Sequence, residues 1–385
     1  MSRVPLTPLE IASGIVGGEH DQSLDWPSRA PESPRAALER CLAAALERPP
    51  CVVSFSGGRD SSVILALATA VARRSGLDPP VPVTHVFPGR PRSDEESWQR
   101  LVLDRLRLPR WERVELHDEL DPIGPLAGPV IRRHGVLFPW NAYSQLPALR
   151  AARGGTLLTG WGGDELFTLR PFGILLQPLR TRRRPRASDL RRLLLWSSPR
   201  PLRRRVVARF GMRGALTWLT APARRAAIAV WADGYAAEPR DWRRRLPWLA
   251  RSRAVWLGGL SLSAMASDEH AAVMSPFWDP GFLAASARAW GALGPAARTH
   301  AYRALAGDLL PREVIERRTK GWYGDTWVGP ASREFARSFD GAGLDRSLVD
   351  PDALRRTWRE DSGLTASASL LQALWLAAGA PAGSG

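Results

Sequence analysis

The sequence contains a single lysine, Lys320, although basic side chains are abundant. The other 53 of its 54 Lys and Arg residues are arginines, and 38 acidic residues leave a formal net charge of +16. Lysine carries a compact, movable point charge, whereas arginine carries a planar fork of donors. A lone lysine in this background is either a surface residue left by chance or a position that needs the compact charge.

Cysteine is almost as scarce, with only Cys41 and Cys51. Such a pair supports neither a disulfide framework nor a CxxC metal site. No run reaches the roughly 18 uninterrupted apolar residues that a membrane-spanning helix needs. The first residues also lack the basic segment and apolar core of a signal peptide. We therefore expect a cytoplasmic protein without a membrane span.

Aromatic residues are sparse where the positive charge is densest. Residues 180–213 contain 13 arginines and one acid, but only two aromatic residues, Trp196 and Phe210. Proteins that bind single-stranded nucleic acid stack bases on aromatic side chains, so nucleic acid is not the expected partner of this Arg-rich segment. The segment either reflects a compositional bias on solvated helix faces or docks an acidic peptide or carrier protein.

Hydrophobic patterning predicts alternating strands and helices in the first part of the chain. Short apolar or β-branched runs typical of buried parallel strands lie at residues 51–55, 81–87, 111–116 and 155–160. Helical patterns separate them, notably at residues 34–47, 60–73 and 93–105. This alternation predicts a doubly wound parallel α/β sheet, whose ligands sit at the carboxyl ends of the strands.

Strand signals fade after residue 166, and the remaining sequence predicts helices rich in Leu, Ala, Trp and Arg. We therefore divide the chain into four parts. They are a lead-in with one helix (residues 1–50), an α/β core (51–170), a helical, Arg-rich lobe that carries Lys320 (171–375), and a disordered tail (376–385).

Two glycine-rich turns follow predicted strands. The first is SGGRDSS at residues 56–62, just after Ser54. Its two glycines let the backbone turn tightly and aim several N–H groups at one point, and the helix that follows adds its positive end. The turn is either a simple helix cap or a cradle for a pyrophosphate-sized anion, and it is not the GxxxxGK[ST] loop, because no lysine follows the glycines. The residues predicted to form the cradle are Ser56, Gly57, Gly58, Asp60, Ser61 and Ser62.

Asp60 places a carboxylate beside the predicted phosphates, which would repel it unless a divalent cation lies between them. The second turn, TGWGGDELF at residues 159–167, offers Asp164, with Glu165 as a less favoured alternative. Two carboxylates and phosphate oxygens form the hard-ligand site that Mg²⁺ prefers. We therefore predict Asp60 and Asp164 as Mg²⁺ ligands; the less favoured interpretation of Asp164 is a helix N-cap.

Together with PREVIERRTKGWY at residues 311–323, these two turns resemble the synthetase domain of the asparagine synthetase family. The sequence is also similar to the relatives of that family, β-lactam synthetase and the lasso-peptide cyclases. Further agreement comes from Ser93, Asp94 and Glu95 and from SPFWD at residues 275–279. The resemblance covers about residues 36–330 and implies the ATP pyrophosphatase fold, of the adenine nucleotide alpha hydrolase type.

The resemblance implies an AMP-forming reaction of ATP. A carboxylate attacks the α-phosphate, pyrophosphate leaves, and an amine attacks the acyl-adenylate to give an amide. Lys320 would stabilise charge on the α-phosphate and on the tetrahedral intermediate, since a fixed cation in a water-poor cleft acts where negative charge grows. The first turn would hold pyrophosphate, and Asp60 with Asp164 would hold Mg²⁺. The pocket would be completed by Ser54, Gly160, Trp161 and Gly162.

The sequence departs from the family at two places. Glutamine-dependent members have a catalytic cysteine after Met1 and a glutaminase domain, whereas Ser2 follows Met1 here and about fifty residues precede the first turn. We therefore expect no ammonia from glutamine within this chain. Trp161 stands where asparagine synthetases have Glu and β-lactam synthetase has Tyr, and an indole cannot exchange the required proton. The base is expected elsewhere, with Glu269 and His270 as candidates.

The leading prediction is an amide ligase that joins a carboxylate to an amine of a small molecule or peptide, either between two molecules or within one as a lactam or macrolactam. One alternative is an asparagine synthetase-like enzyme that uses ammonia from elsewhere. Another is an RNA-modifying ATP pyrophosphatase, although Cys41 and Cys51 do not resemble the reactive pair of its sulfur-transferring forms. The third is a catalytically silent ATP-binding homologue, for which Trp161 is the best argument.

Overall fold

A five-stranded, all-parallel sheet with the strand order β3-β2-β1-β4-β5 lies at the centre of the fold. The computed structural model of the chain describes residues 4–20, 26–27, 33–167, 187–212 and 214–379. The strands are β1 Cys51–Ser54, β2 Val81–Val86, β3 Glu112–Glu115, β4 Thr156–Leu158 and β5 Ala272–Met274. The predicted α/β class is confirmed, and each of the four predicted strands is present in slightly shorter form.

Helices make up 58% of the structure and flank the sheet. Those before β4 are Pro8–Ser13, Pro34–Leu46, Arg59–Ser75, Glu96–Leu106, Ala127–His134 and Leu146–Ala151. Those between β4 and β5 are Gly163–Phe167, Ala187–Ser197, Arg200–Phe210, Ala221–Ala237, Trp242–Ala250 and Arg253–Asp268. Those after β5 are Pro280–Trp290, Arg298–Ala306, Arg312–Glu316, Pro330–Ser338, Pro351–Thr357, Asp361–Ala366 and Ala368–Ala377.

Short 3₁₀ turns complete the secondary structure at Pro91–Ser93, Ala142–Gln145, Pro276–Trp278 and Gly324–Thr326. The final helix extends into the predicted tail at 376–385, of which residues 380–385 lie outside the described part of the chain. No helix in the described ranges is long and apolar enough to cross a membrane.

The two faces of the sheet bury different helices, because successive side chains of a strand point to opposite sides. Val53 of β1 lies in a core with the helices Pro34–Leu46 and Arg59–Ser75. Its neighbour Val52 lies in a second core with the helices Leu146–Ala151 and Arg253–Asp268. Burial on both faces explains why the inner strands β1 and β4 have mainly apolar sequences without a polar alternation, whereas the edge strand β3 is charged and largely exposed.

The edge strand β5 was missed by the sequence prediction, which expected only helices after residue 166. It pairs with β4 in parallel, with Thr156 opposite Ala272 and Leu158 opposite Met274. Three residues are too few to show a strand period, and their place in the sheet is set by tertiary packing. The predicted helical lobe therefore supplies part of the central sheet, and the Pro276–Trp278 turn follows β5 at its carboxyl end.

The strand order creates a crevice between β1 and β4. From β1 the chain proceeds outward to β2 and β3 on one side, whereas β4 and β5 lie on the other side. Loops that follow the two central strands of such a sheet diverge, and ligands bind in the gap between them. Both glycine-rich turns leave the sheet at this gap, one after Ser54 and the other after Leu158.

The Arg-rich segment at residues 180–213 is only partly described, because residues 180–186 and 213 lie outside the described ranges. Within the described part, Arg203 is buried and donates hydrogen bonds to the carbonyl oxygens of Trp196 and Ala236. Arg204 forms an ion pair with Asp233. These two arginines therefore connect helices of the fold.

Candidate active site

The first glycine-rich turn is a compact loop that its own serines hold in shape. Gly57 has φ +76°, a backbone conformation that favours glycine, and a side chain there would meet Gln99 at 2.8 Å. The N–H of Ser56 donates to Oγ of Ser61 at 3.2 Å, and the N–H of Gly58 donates to Oγ of Ser56 at 3.3 Å. Arg59–Ser75 begins directly after this loop, so the positive end of that helix faces the crevice.

Ser62 stabilises the loop and does not face the crevice. It is fully buried, and its hydroxyl donates to the carbonyl oxygen of Gly58 at 2.8 Å. Ser61 donates to the same oxygen at 3.2 Å, but it also lines the cavity described below. In this conformation Ser56 and Ser61 are the serines of the predicted anion cradle that face the crevice, whereas Ser62 holds the turn from its buried side.

The second glycine-rich turn packs directly against the first. A Cβ on Gly163 would lie 2.2 Å from Oδ1 of Asp60, so only glycine lets the two turns approach this closely. The short helix Gly163–Phe167 then presents Asp164 at the crevice. The spacing between the glycines and Asp164 therefore brings a second carboxylate next to Asp60.

Lys320 reaches the same place from the far end of the chain. Its Nζ lies 3.3 Å from Oδ2 of Asp164, and its side chain is 77% exposed. The structure thus brings Asp60, Asp164 and Lys320 together, as the three sequence segments predict. The lysine remains accessible to a ligand, because an ion pair this exposed binds its partner only weakly.

Arg298 is the site residue that sequence reasoning missed. Its guanidinium lies between the two carboxylates, with Nη2 at 2.7 and 2.6 Å from Oδ1 and Oδ2 of Asp60 and with Nη1 donating to Oδ1 of Asp164. Its Nε donates to the hydroxyl of Tyr302 at 2.9 Å, and that hydroxyl donates to Asp60. One arginine among 53 carries no signal of its own, although an Arg and a Tyr four residues apart share one helix face.

The electrostatics of the two carboxylates differ with their burial. Burial raises the pKa of Asp60 above its usual range, and Arg298 opposes that shift. Burial also acts to raise the pKa of Asp164, but Arg298 and Lys320 outweigh it and leave that pKa lowered. The pKa of Arg298 is itself raised, because its contacts with Asp60 and Asp164 outweigh the effect of its burial. Asp164 therefore loses its proton more readily than Asp60.

The two carboxylates fit a divalent cation in chemistry and in placement. Both are hard oxygen donors, and both contact one guanidinium group, so their oxygens lie within reach of a single small cation. Across the described ranges, no cluster of three or more His, Cys, Asp or Glu side chains could hold a metal ion. A cation at this place would therefore have two protein ligands, and a bound nucleotide would have to supply further oxygens.

The lysine motif is anchored by a buried ion pair to Glu95 and by a hydrogen bond to the first turn. Arg317 and Glu95 are 4% and 6% exposed, and their guanidinium and carboxylate groups meet at 2.5 Å. Arg317 also donates to the carbonyl oxygen of Gly57 at 3.2 Å and stacks on Trp98 at 4.4 Å from the ring centre. Glu95 is one of the three residues, Ser93 to Glu95, at which the sequence resembles the family. Its ion pair with Arg317 gives this residue a structural role. The anchor sets where Lys320, three residues later, enters the crevice.

A cavity of about 340 Å³ adjoins the first turn. The two turns contribute Ser54, Ser56, Asp60, Ser61, Thr159, Gly160 and Trp161 to its lining, and residues 139–145 contribute Pro139, Asn141, Ala142, Ser144 and Gln145. The ring of Trp161 lies against Gly258, where a Cβ would come within 2.6 Å of it. Gly162 is buried behind this wall, against Trp278. Apart from Asp60, the lining carries no ionised side chain.

Glu269 and His270, predicted as possible bases, are not brought to this site. They immediately precede β5, whereas the crevice lies beyond the carboxyl ends of the strands. Glu269 pairs with Arg150 at 3.2 Å and with Arg153 at 2.7 Å, and the carbonyl oxygen of His270 accepts from Gly154. Both residues lie at the amino-terminal ends of the parallel strands, whereas the crevice lies at the carboxyl ends. They therefore cannot act on a substrate in the crevice.

Comparisons with known proteins agree with this geometry. A family model described as asparagine synthase matches residues 34–380. The comparison with curated proteins gave no match. The matched range includes all five strands, both glycine-rich turns, Arg298 and Lys320. The chain belongs to the asparagine synthase family.

Proposed function

We propose that this protein is an AMP-forming amide ligase, which adenylates a carboxylate with ATP, releases pyrophosphate and transfers the acyl group to an amine. Membership of the asparagine synthase family supports ATP-dependent carbon–nitrogen ligase activity in general. The observation that carries the finer proposal is the convergence of Asp60, Asp164 and Lys320 at one crevice. A ligase of this kind works where ATP is available, which favours a cytoplasmic location.

The residues of the crevice have distinct roles in this proposal. The backbone of the first turn and the hydroxyls of Ser56 and Ser61 bind the leaving pyrophosphate. Asp60 and Asp164 would hold Mg²⁺, which when bound neutralises phosphate charge and orients the triphosphate. Lys320 stabilises the charge that develops on the α-phosphate and then on the acyl oxygen of the tetrahedral intermediate formed by amine attack. Ser54, Gly160 and Trp161 line the space that remains for nucleoside and acyl group.

Amine attack requires a proton acceptor, and Glu165 is our candidate. Its pKa is raised, first by burial and then by the neighbouring carboxylates Asp164 and Asp60, while a hydrogen bond with the Trp161 side chain opposes the shift. Trp161 cannot accept the proton itself, but it holds a carboxylate that can. A raised pKa makes that carboxylate a better base for an ammonium group.

Replacing Glu165 with glutamine should slow amide formation by about 100-fold while leaving adenylation intact. The measurements are amide formation and the exchange of labelled pyrophosphate into ATP, which reports adenylation alone. In the unmodified protein the amide-forming rate should rise with pH as Glu165 loses its proton above its usual range, and this rise should vanish in the variant. Equal losses in both assays would show instead that Glu165 acts before amine attack.

The proposal names a class of substrate, a small molecule or peptide of specialised metabolism that presents a carboxylate and an amine. The enzyme would join these two groups either between two molecules or within one molecule, as a lactam or macrolactam. Support comes from the cavity, whose weakly charged lining suits an uncharged substrate body. An acidic peptide or carrier protein could dock on the Arg-rich segment, where Arg205 and Arg209 are exposed beside Leu202 and Phe210. Charge complementarity is the argument for that partner.

The two thiols oppose the sulfur-transferring form of an RNA-modifying enzyme. Burial raises the pKa of both Cys41 and Cys51 to about 12. A thiol is nucleophilic only as the thiolate, so neither group is reactive near neutral pH. Sγ of Cys41 also lies 3.2 Å from Sδ of Met274, inside the core beside the sheet.

Release of pyrophosphate and AMP is the direct test of the proposed function. Purified protein is incubated with ATP, Mg²⁺ and panels of carboxylates and amines, and both products are quantified with the amide. We expect equal amounts of AMP, pyrophosphate and amide with at least one pair, and loss of all three in Asp60→Asn. Release of ADP, or ATP binding without turnover for every pair, would contradict the proposal and favour a silent homologue.

A further inference from the structure

We propose that Arg298 is a built-in counter-cation that occupies the divalent-cation position in the nucleotide-free protein, so that the site binds a divalent cation tightly only after nucleotide draws Arg298 away. The inference concerns the regulation of the active site and rests on the proposed function for the identity of that nucleotide. Its own content is a competition between two cations for Asp60 and Asp164.

The contacts of Arg298 are those that a metal ion would need. Its two terminal nitrogens contact three of the four carboxylate oxygens, namely both of Asp60 and Oδ1 of Asp164. The remaining oxygen, Oδ2 of Asp164, is the one that Lys320 approaches. A bound divalent cation would stand a few ångströms from the guanidinium, where two positive charges repel each other strongly in a partly buried site. The guanidinium and the cation therefore exclude each other.

Arg298 is held in this position by its own helix. Tyr302, one turn later, accepts from its Nε at 2.9 Å, and the guanidinium lies 5.4 Å from the centre of the Tyr302 ring. Tyr302 is fully buried, whereas the Arg298 side chain keeps 20% of its exposure. The arginine thus has a fixed support on one side and solvent on the other, which gives it a path out of the site.

The first turn supplies a reason for Arg298 to leave when nucleotide binds. Phosphate oxygens are bidentate acceptors for a guanidinium group, as carboxylates are. Arg298 is the first residue of its helix, so its side chain extends from the helix end toward the crevice. A phosphate in the cradle beside Asp60 offers Arg298 equivalent partners and frees the carboxylates for a cation. Arg298 would exchange carboxylate acceptors for phosphate acceptors and would not lose its hydrogen bonds. Its displacement from the two aspartates is therefore feasible.

Arg59 supplies a second guanidinium group beside the same tyrosine. Its guanidinium lies 5.6 Å from the ring centre of the same Tyr302. Two guanidinium groups thus lie around one tyrosine beside the first turn, where phosphate oxygens find charged donors. An anion is therefore the first ligand that the site accepts, and a cation follows.

Binding of Mn²⁺ alone, followed by its paramagnetic resonance signal, tests the proposal without turnover. Arg298→Gln removes the competing charge, and we expect its affinity for Mn²⁺ in the absence of nucleotide to rise at least about tenfold over the unmodified protein. The matched control is Arg303→Gln on the same helix, which removes an exposed arginine paired with Glu316 and should leave Mn²⁺ affinity unchanged. Adding Asp164→Asn to Arg298→Gln should cancel the gain.

A second set of measurements separates the effect of the lost positive charge from any effect of the substitution on folding. Arg298→Lys keeps a positive charge and should retain the weak Mn²⁺ binding of the unmodified protein. A non-hydrolysable ATP analogue should strengthen Mn²⁺ binding in the unmodified protein and much less in Arg298→Gln. Unchanged Mn²⁺ affinity in Arg298→Gln would overturn the proposal. Tight Mn²⁺ binding by Arg298→Gln together with failure of every amide assay would leave this inference standing and remove the proposed function instead.

Discussion

Replacing Lys320 with methionine is expected to lower amide-forming turnover by about 100- to 1,000-fold, the usual cost of removing one group that stabilises transition-state charge. Methionine keeps the length of the side chain and removes its charge. The side chain of Lys320 is 77% exposed and its partner Asp164 is 54% exposed. Loss of such an ion pair has little effect on folding. The defect should therefore be catalytic, with ATP affinity largely retained.

The matched control for Lys320→Met is Arg318→Met, two positions earlier in the same motif and also exposed. It removes one positive charge from the segment without touching Asp164, and it should retain most of the activity. Lys320→Arg keeps the charge but spreads it over a planar fork, so we expect partial activity at best. Single-turnover measurements of acyl-adenylate and amide will locate the defect. Full turnover in Lys320→Met would contradict the assignment of this residue to the reaction.

Replacing Glu95 with glutamine is expected to destabilise the protein by about 3–5 kcal/mol, because it leaves the charge of Arg317 buried without its partner. Few single substitutions have a larger effect on stability. Chemical denaturation with circular dichroism gives the free energy of unfolding. The adjacent Glu96→Gln is the control, since Glu96 pairs with Arg100 and Arg113 at the surface and its loss should change little.

A double substitution separates stability from positioning. Glu95→Leu combined with Arg317→Met replaces the ion pair by apolar groups, which often restores stability. The double variant also loses the hydrogen bond from Arg317 to Gly57. We therefore expect a folded protein with a raised KM for ATP and a lowered turnover, because Lys320 and the first turn are no longer tied together. Unimpaired catalysis in a stable double variant would show that the pair serves stability alone.

Much of the site could be predicted from the sequence because parallel strands end at one edge of a sheet. The runs at residues 51–55 and 155–160 are apolar enough to identify two strands, and each is followed by a glycine-rich turn. Strand-end geometry then requires that Asp60 and Asp164 come together if the two strands are neighbours. The structure has β1 beside β4, in register from Cys51 and Thr156 onward.

The parts that escaped prediction depend on packing between distant segments. β5 is three residues long and owes its place to pairing with β4. Arg298 shares its residue type with 52 other arginines, so its position between two carboxylates has no sequence signature. Glu269 and His270 lie close in sequence to the Ser275–Asp279 match, but they precede β5 while that match follows it. A three-residue strand thus separates side chains at the amino-terminal end of the sheet from side chains at its carboxyl end.

The late position of β5 has a consequence for how the chain matures during synthesis. Residues 156 and 272 are partners, so the outer neighbour of β4 emerges 116 residues after it. Until then β4 presents an open edge that can pair with other chains. Truncation before residue 272 should leave that edge permanently uncovered and favour aggregation, although both glycine-rich turns and their aspartates would already be made. Assembly of the sheet is therefore completed only after most of the polypeptide has left the ribosome.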